Sequence, residues 1–174
     1  MSRSVLFLCL IGCFLFQYQR SEAQTSFLSD FKIKWKNAAN YTLEFAGVMP
    51  EDNYGYTPTK VEMTYREQLK HVAGNIVWLC NSFLDGNETT IDPAKTGDSK
   101  KEVIALLERS FKYADETIGK MTEKDLEENV DFLAGKMSKR RILFLLSDHV
   151  THHRGQLVVY LRMKNITPPD YVGW

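Results

Sequence analysis

Apolar residues recur every three or four positions through most of this chain, and the recurrence divides it into four amphipathic segments. From Thr25 to about Val48 they fall at 27, 28, 31, 35, 38 and 45, mostly the spacing of one helix face. Met49 to Lys60 carries two prolines and a glycine, which reads as a loop. Thr64, with Glu67 three residues on, has the form of a capping box, and Leu69, Val72, Ile76, Leu79 and Phe83 form the stripe of the helix it opens. Ser99 with Glu102 opens a third, with Val103, Leu106, Leu107, Phe111, Ala114 and Ile118 on one face. Thr122 to Lys136 is a short acidic stretch. Ser138 caps the last helix, which runs to about Lys164 before Pro168 and Pro169 stop it. No strand-like alternation competes. The predicted fold class is therefore all-α, a four-helix bundle with neither an internal repeat nor a second domain.

One connection is too long for a simple turn. Leu84 to Asp98 is fifteen residues rich in Gly, Pro, Asn, Asp and Thr, whereas helix connections in bundles usually take about two to eight. Adjacent antiparallel helices do not need that length, so the segment is predicted to cross over along the bundle between helices 2 and 3.

The first residues follow a different pattern. A short basic start at Arg3 precedes the apolar run Val5 to Phe16, after which the chain turns polar and offers Ser21-Glu22-Ala23. This is the anatomy of a secretory signal peptide, and the run is too short for a stable membrane span. Residues 1–23 are read as the signal peptide and 24–174 as the mature domain, which places the protein in the periplasm or outside the cell. A second reading is a lipid anchor through Cys13, because Leu10-Ile11-Gly12-Cys13 resembles a lipoprotein box; the apolar Phe14-Leu15-Phe16 beyond it favours simple export.

Composition adds exclusions. At 174 residues the chain is one domain's worth, and its formal net charge of +0 offers nothing to a nucleic acid or an anionic membrane. The basic cluster Lys136, Lys139, Arg140 and Arg141 is expected to be compensated by Glu123, Asp125, Glu127, Glu128 and Asp131 close by. Cleavage after Ala23 leaves Cys80 as the single cysteine, so there is no internal disulfide framework. Its neighbours Ile76, Leu79 and Phe83 make it a buried, inert thiol.

The chemistry lies with the four histidines, His71, His149, His152 and His153. In the last helix the inner seam reads Ile142, Leu145, His149, His153, Gln156 and Tyr160, with spacings of 3, 4, 4, 3 and 4. Residues four apart share a face, so His149 and His153 project inward together, while His152 sits one position off the seam. Two imidazoles one turn apart can reach one ion, but two make a weak site and a third ligand is expected. His71, to the side of its own helix's stripe and in line with Asn75, Trp78 and Ser82, is a candidate that spacing alone does not prove. The competing reading is that these are core or surface histidines with ordinary hydrogen-bond partners.

The run SDHVTHHRGQLVVYLRMKNITPPDYVGW, Ser147 to Trp174, resembles the C-terminal motif of the DinB-like (damage-inducible protein) family, a group of metal-binding four-helix bundles. The matching residues are His149, His152, His153, Arg154, Gly155 and Gln156, then Tyr160-Leu161-Arg162, then Pro168-Pro169. The segment Thr64 to His71 is similar to the family's second-helix start. The resemblance covers essentially the whole mature chain and implies that His71, His149 and His153 bind a divalent ion, zinc or nickel, with water completing the shell. It also implies an up-down-down-up bundle. His152, Gln156 and Arg154 would then stand behind the ligands or in the pocket. Arg154 is otherwise expected to form an ion pair, and Gly155 to admit a neighbouring helix.

Three neutral ligands with an open position are the pattern of catalytic zinc. The leading expectation is a metal-dependent enzyme on a small-molecule substrate or thiol, a transferase or hydrolase. No side chain is singled out as catalytic, so an activated water or thiol would serve. Thiol S-transfer is suggested by the wider superfamily; the scarcity of small thiols outside the cytoplasm argues against it. The alternative is a non-catalytic, structural metal-binding homodimer, which would have a closed site and no cavity beside the ion.

Overall fold

The computed structural model describes residues 26–174, and the signal-peptide and lipid-anchor readings lie outside them. Four helices are present: α1 Phe27–Val48, α2 Tyr65–Phe83, α3 Lys100–Lys120 and α4 Lys139–Met163. Each begins where its sequence carries an N-terminal cap. Ser26 and Ser138 accept from the backbone N–H groups of Ser29 and Arg141, while Thr64–Glu67 and Ser99–Glu102 form complete capping boxes. Such caps satisfy donors the helix cannot pair internally, each contributing about 0.5–2 kcal/mol.

The apolar stripes meet in one core. Trp35, Phe45, Leu69, Ile76, Leu79, Leu106, Leu107, Ile142 and Leu157 are all buried. Both α1 and α2 pack against α3 and α4. At the ends, Lys100 Nζ at the start of α3 donates to the carbonyls of Gly47 and Met49 at the end of α1, at 2.6 and 2.8 Å. Past the end of α3, Glu123 Oε1 accepts from Leu28 N–H at the start of α1. Between α2 and α4 the contacts run from Gln68–Tyr160 at one end to Asp85–Lys139 at the other.

The long connection after α2 returns along that helix. Lys70 Nζ donates to Thr96 O at 2.8 Å and pairs with Asp98 at 3.0 Å, and Pro93 begins a short 3-10 turn against Gly74. A Cβ on Gly74 would stand 3.2 Å from Pro93 Cγ, so the missing side chain permits this close approach.

The acidic stretch before α4 corrects the purely helical expectation. It contains a 3-10 turn at Asp125–Glu127 and a two-stranded antiparallel hairpin, β1 Asn129–Phe132 with β2 Gly135–Ser138. Gly135 takes φ +96°, a left-handed conformation that glycine adopts without a side-chain clash. Phe132 packs on Phe83 and Trp78, with ring centroids 5.1 and 5.9 Å away. Strands of four residues give too short an alternation to register against the helical pattern on either side.

The basic cluster finds much of its expected compensation. Lys139, buried, pairs with Glu128 at 2.6 Å and also with Asp85, while Arg140 pairs with Glu127 at 2.6 Å. Two other expectations are corrected. A Cβ on Gly155 would meet nothing within 4 Å among the described residues, so none of the described helices approaches this glycine closely. Among the described residues Arg154 makes no ion pair. It is buried, donating to Ala38 O at 3.1 Å and Thr151 Oγ1 at 3.2 Å, with its guanidinium 5.0 Å from the Tyr41 ring centre. Carbonyl, hydroxyl and ring face stand in for a carboxylate.

Candidate metal centre

Where α2 and α4 face one another, His71, His149 and His153 come together. His149 Nε2 lies 3.1 Å from His71 Nε2 and 3.2 Å from His153 Nε2. Two nitrogens each about 2.0–2.1 Å from one ion stand roughly 2.9–3.4 Å apart at ordinary coordination angles. The two separations fit that range, and the same ring atom of all three residues points to one spot. Among the described residues no carboxylate or thiol joins the cluster. Three neutral imidazoles suit zinc, nickel and their transition-metal neighbours rather than magnesium or calcium, which prefer oxygen.

The surroundings prepare these nitrogens to act as ligands. His153 Nδ1 lies 2.5 Å from Gln68 Oε1. A carbonyl oxygen only accepts, so Nδ1 carries the proton and Nε2 keeps its lone pair for an ion. Gln68 is itself oriented: its Nε2 donates to Gln156 Oε1 at 2.5 Å and to Tyr160 Oη at 3.3 Å, and Tyr160 donates onward to Met63 O at 2.5 Å. Gln156 Nε2 then donates to His152 Nε2 at 2.8 Å. The chain is consistent in direction, with each amide accepting on one side and donating on the other.

This geometry places the remaining sequence candidates. Gln156 and His152 stand behind the cluster, joined to it through Gln68, and His152 is exposed. Arg154 points the other way, into the contact between α4 and α1. The sequence reading missed Gln68, which is 2% exposed. It lies three residues before His71 and continues the line of His71 and Asn75, and that spacing was the available signal.

The cluster borders open space at His71. His71 is exposed and lines a cleft of about 580 Å³ with Lys70, Gly74, Asn75, Trp78 and Pro93. It also lines a neighbouring groove of about 530 Å³, formed with Met63, Arg66, Glu67, Lys70 and Asp98. Cys80 lies elsewhere in the core, where burial pushes its thiol up to about 12.

Burial, followed by the neighbouring imidazoles, lowers His149 and His153 from the ordinary 6.5 to about 4. Both therefore remain neutral in the fold where an unfolded chain would take up protons. The unfolded state binds more protons between pH 6.5 and 4, so this contribution to stability is complete above about 6.5 and is lost as pH falls towards 4. Melting curves of chelator-treated protein should show a midpoint that drops across this window. A double His149→Leu, His153→Leu variant should show a shallower drop.

The DinB family pattern matches residues 24–171. The chain belongs to the DinB family. An uncharacterized Bacillus subtilis relative, YjoA, is 27% identical over 129 residues, covering 71% of this chain and 81% of YjoA. Among solved structures, a DinB-like protein from Bacillus cereus superposes with TM-score 0.72 at 21% identity, covering 82% of this chain and 95% of that one. The DinB-like protein YjoA from Bacillus subtilis gives TM-score 0.68 at 24% identity, covering 82% and 96%. At these identities the superpositions establish a shared fold.

Proposed function

We propose that this DinB protein is an exported, metal-dependent enzyme acting on a small molecule, by hydrolysis or by transfer to or from a thiol. The observation that carries the reading is the convergence of three Nε2 atoms next to a cleft that His71 lines, with no fourth His, Cys, Asp or Glu in the cluster among the described residues. A structural site encloses its ion with four protein ligands, whereas a catalytic one leaves a position for water or substrate. Zinc or nickel is the proposed ion. Held by three neutral groups it keeps its full charge, and its chemistry there is to lower the pKa of a water or thiol beside it.

The protein's own residues do the rest. Gln68 holds His153 in the ligating tautomer. The half-exposed Trp78 ring and Pro93 give the cleft an apolar wall for a substrate's non-reacting part. Lys70 is occupied by Thr96 and Asp98, so the cleft presents less free positive charge than its sequence suggests. Export rests on the apolar run of residues 5–16. The proposed bundle direction, up-down-down-up, is supported by the end contacts of α1 with α3 and of α2 with α4. No helix among the described residues is long and apolar enough to cross a membrane.

The test is cobalt substitution. Binding of a small thiol such as 2-mercaptoethanol should add an intense charge-transfer band in the near ultraviolet, and chelation should leave helix content unchanged because the core is complete without the ion. A spectrum indifferent to thiols, azide and every other small ligand, or loss of helix on chelation, would transfer support to the second reading. That reading is a structural metal-binding homodimer. It is favoured by Val159 and Met163, four apart on α4 and 51% and 54% exposed, an apolar pair that a second copy would cover.

A further inference from the structure

Gln68 accounts for the outer nitrogen of His153, but that of His149 has no such partner. His149 Nδ1 is buried and makes no hydrogen bond among the described residues. Once Nε2 is committed to an ion, the imidazole proton must reside on Nδ1, which leaves a buried donor with nothing to accept it. Such a group costs free energy, and ligating histidines almost always donate from the second nitrogen to an oxygen.

A matching acceptor stands on the facing helix. Asn75 Oδ1 is likewise buried without a partner, although the residue itself lines the cleft. An oxygen hidden from solvent is not presented to a cleft ligand; it is turned into the protein. The register of the two helices says towards what. Gln68 reaches His153, Gln156 and Tyr160, and His71, one turn on, reaches His149 and His153. Each turn forward along α2 thus moves one turn back along α4. Asn75, the next turn, comes level with Leu145 and His149 of the α4 seam. Leu145 has no polar side-chain atom. His149 is the polar partner at that level.

We infer that Asn75 is the positioning residue for His149: its Oδ1 accepts the Nδ1 proton, directly after a rotation of the amide or through one water, when Nε2 is engaged by the metal. This rests on the metal reading above. Gln68, His71 and Asn75, spaced 3 and 4 apart, then form one stripe in which a ligand is flanked by two amides, each orienting one histidine of α4. The two buried, unpartnered atoms facing each other across α2 and α4 are the feature that distinguishes this from a merely structural asparagine.

The experiment uses the full mature chain and zinc itself, with affinity measured by competition against a chromophoric chelator. Asn75→Leu should weaken zinc binding about 10–100-fold, the usual cost of losing an outer partner, with helix content unchanged. Asn75→Asp, which keeps an acceptor at the same place, should bind within a fewfold of the parent. In the zinc-loaded parent, nitrogen-correlated NMR should show a slowly exchanging proton on His149 Nδ1, retained in Asn75→Asp and rapidly exchanging in Asn75→Leu. Parent-like zinc affinity in Asn75→Leu would overturn the assignment while leaving the metal site standing. So would a rapidly exchanging or absent Nδ1 proton in the loaded parent, a readout that needs no variant to fold. A folded parent that binds no zinc or nickel at all would instead overturn the metal reading, and this inference with it.

Discussion

His149→Ala and His153→Ala should each abolish tight metal binding, while His152→Ala should keep most of it. The three residues lie within five positions of one another on one helix, so composition and local charge scarcely distinguish them. Geometry does. His149 and His153 present Nε2 atoms 3.2 Å apart and His149 meets His71 at 3.1 Å, so removing either leaves two ligands. The loss should exceed the roughly 100-fold that an outer partner costs. The exposed His152 accepts from Gln156 Nε2 and sets its ring edge-on to His153; water can take the place of its nitrogen, so a loss within about tenfold is expected. Metal content of purified variants by elemental analysis, with titrated affinities, decides the matter. Metal content in His149→Ala equal to the parent's would remove the site altogether.

The second large effect should come from a residue that touches no metal. Gln68→Leu is close in volume but has no polar atoms. It would strand His153 Nδ1–H and Gln156 Oε1, now bonded at 2.5 Å each. A stranded buried group costs about 1–3 kcal/mol, and His153 would lose the bond that holds its tautomer. The expected result is a lowered melting temperature in the metal-free protein together with a zinc affinity weakened about 10–100-fold. Gln68→Glu separates the two effects. Its carboxylate still accepts from His153, so metal binding should survive, while the bond to Gln156 Oε1 is lost and stability should still fall. If Gln68→Leu bound zinc like the parent, Gln68 would be a packing residue and the orientation argument would fail.

Much of this was legible along the chain because it is local. A stripe such as Leu69, Val72, Ile76 and Leu79 follows from the helical period. So do the capping boxes at Thr64 and Ser99, and the placing of His149 and His153 on one face with His152 off it. None of these needs knowledge of what the helix packs against. The basic start of α4 likewise found Glu127 and Glu128 within reach because they are near in sequence. The hairpin escaped for the opposite reason: its strands are four residues long, and its apolar residues Val130, Phe132 and Met137 declare a face only once Phe132 lies on Phe83 and Trp78.

What tertiary structure decided is which surfaces meet. His71 stands to the side of its own stripe, and 78 residues separate it from His149; only the packing of α2 against α4 makes that flank an inner wall. The same packing turned Gln68 into the support of His153 and brought Asn75 level with His149. It sent Arg154 to the carbonyl of Ala38 rather than to a carboxylate, and it left Gly155 without a close neighbour among the described helices. Periodicity assigns a residue to a face of its own helix. The partner of that face is set by how four stripes share one core, and that choice also opened the cleft beside His71.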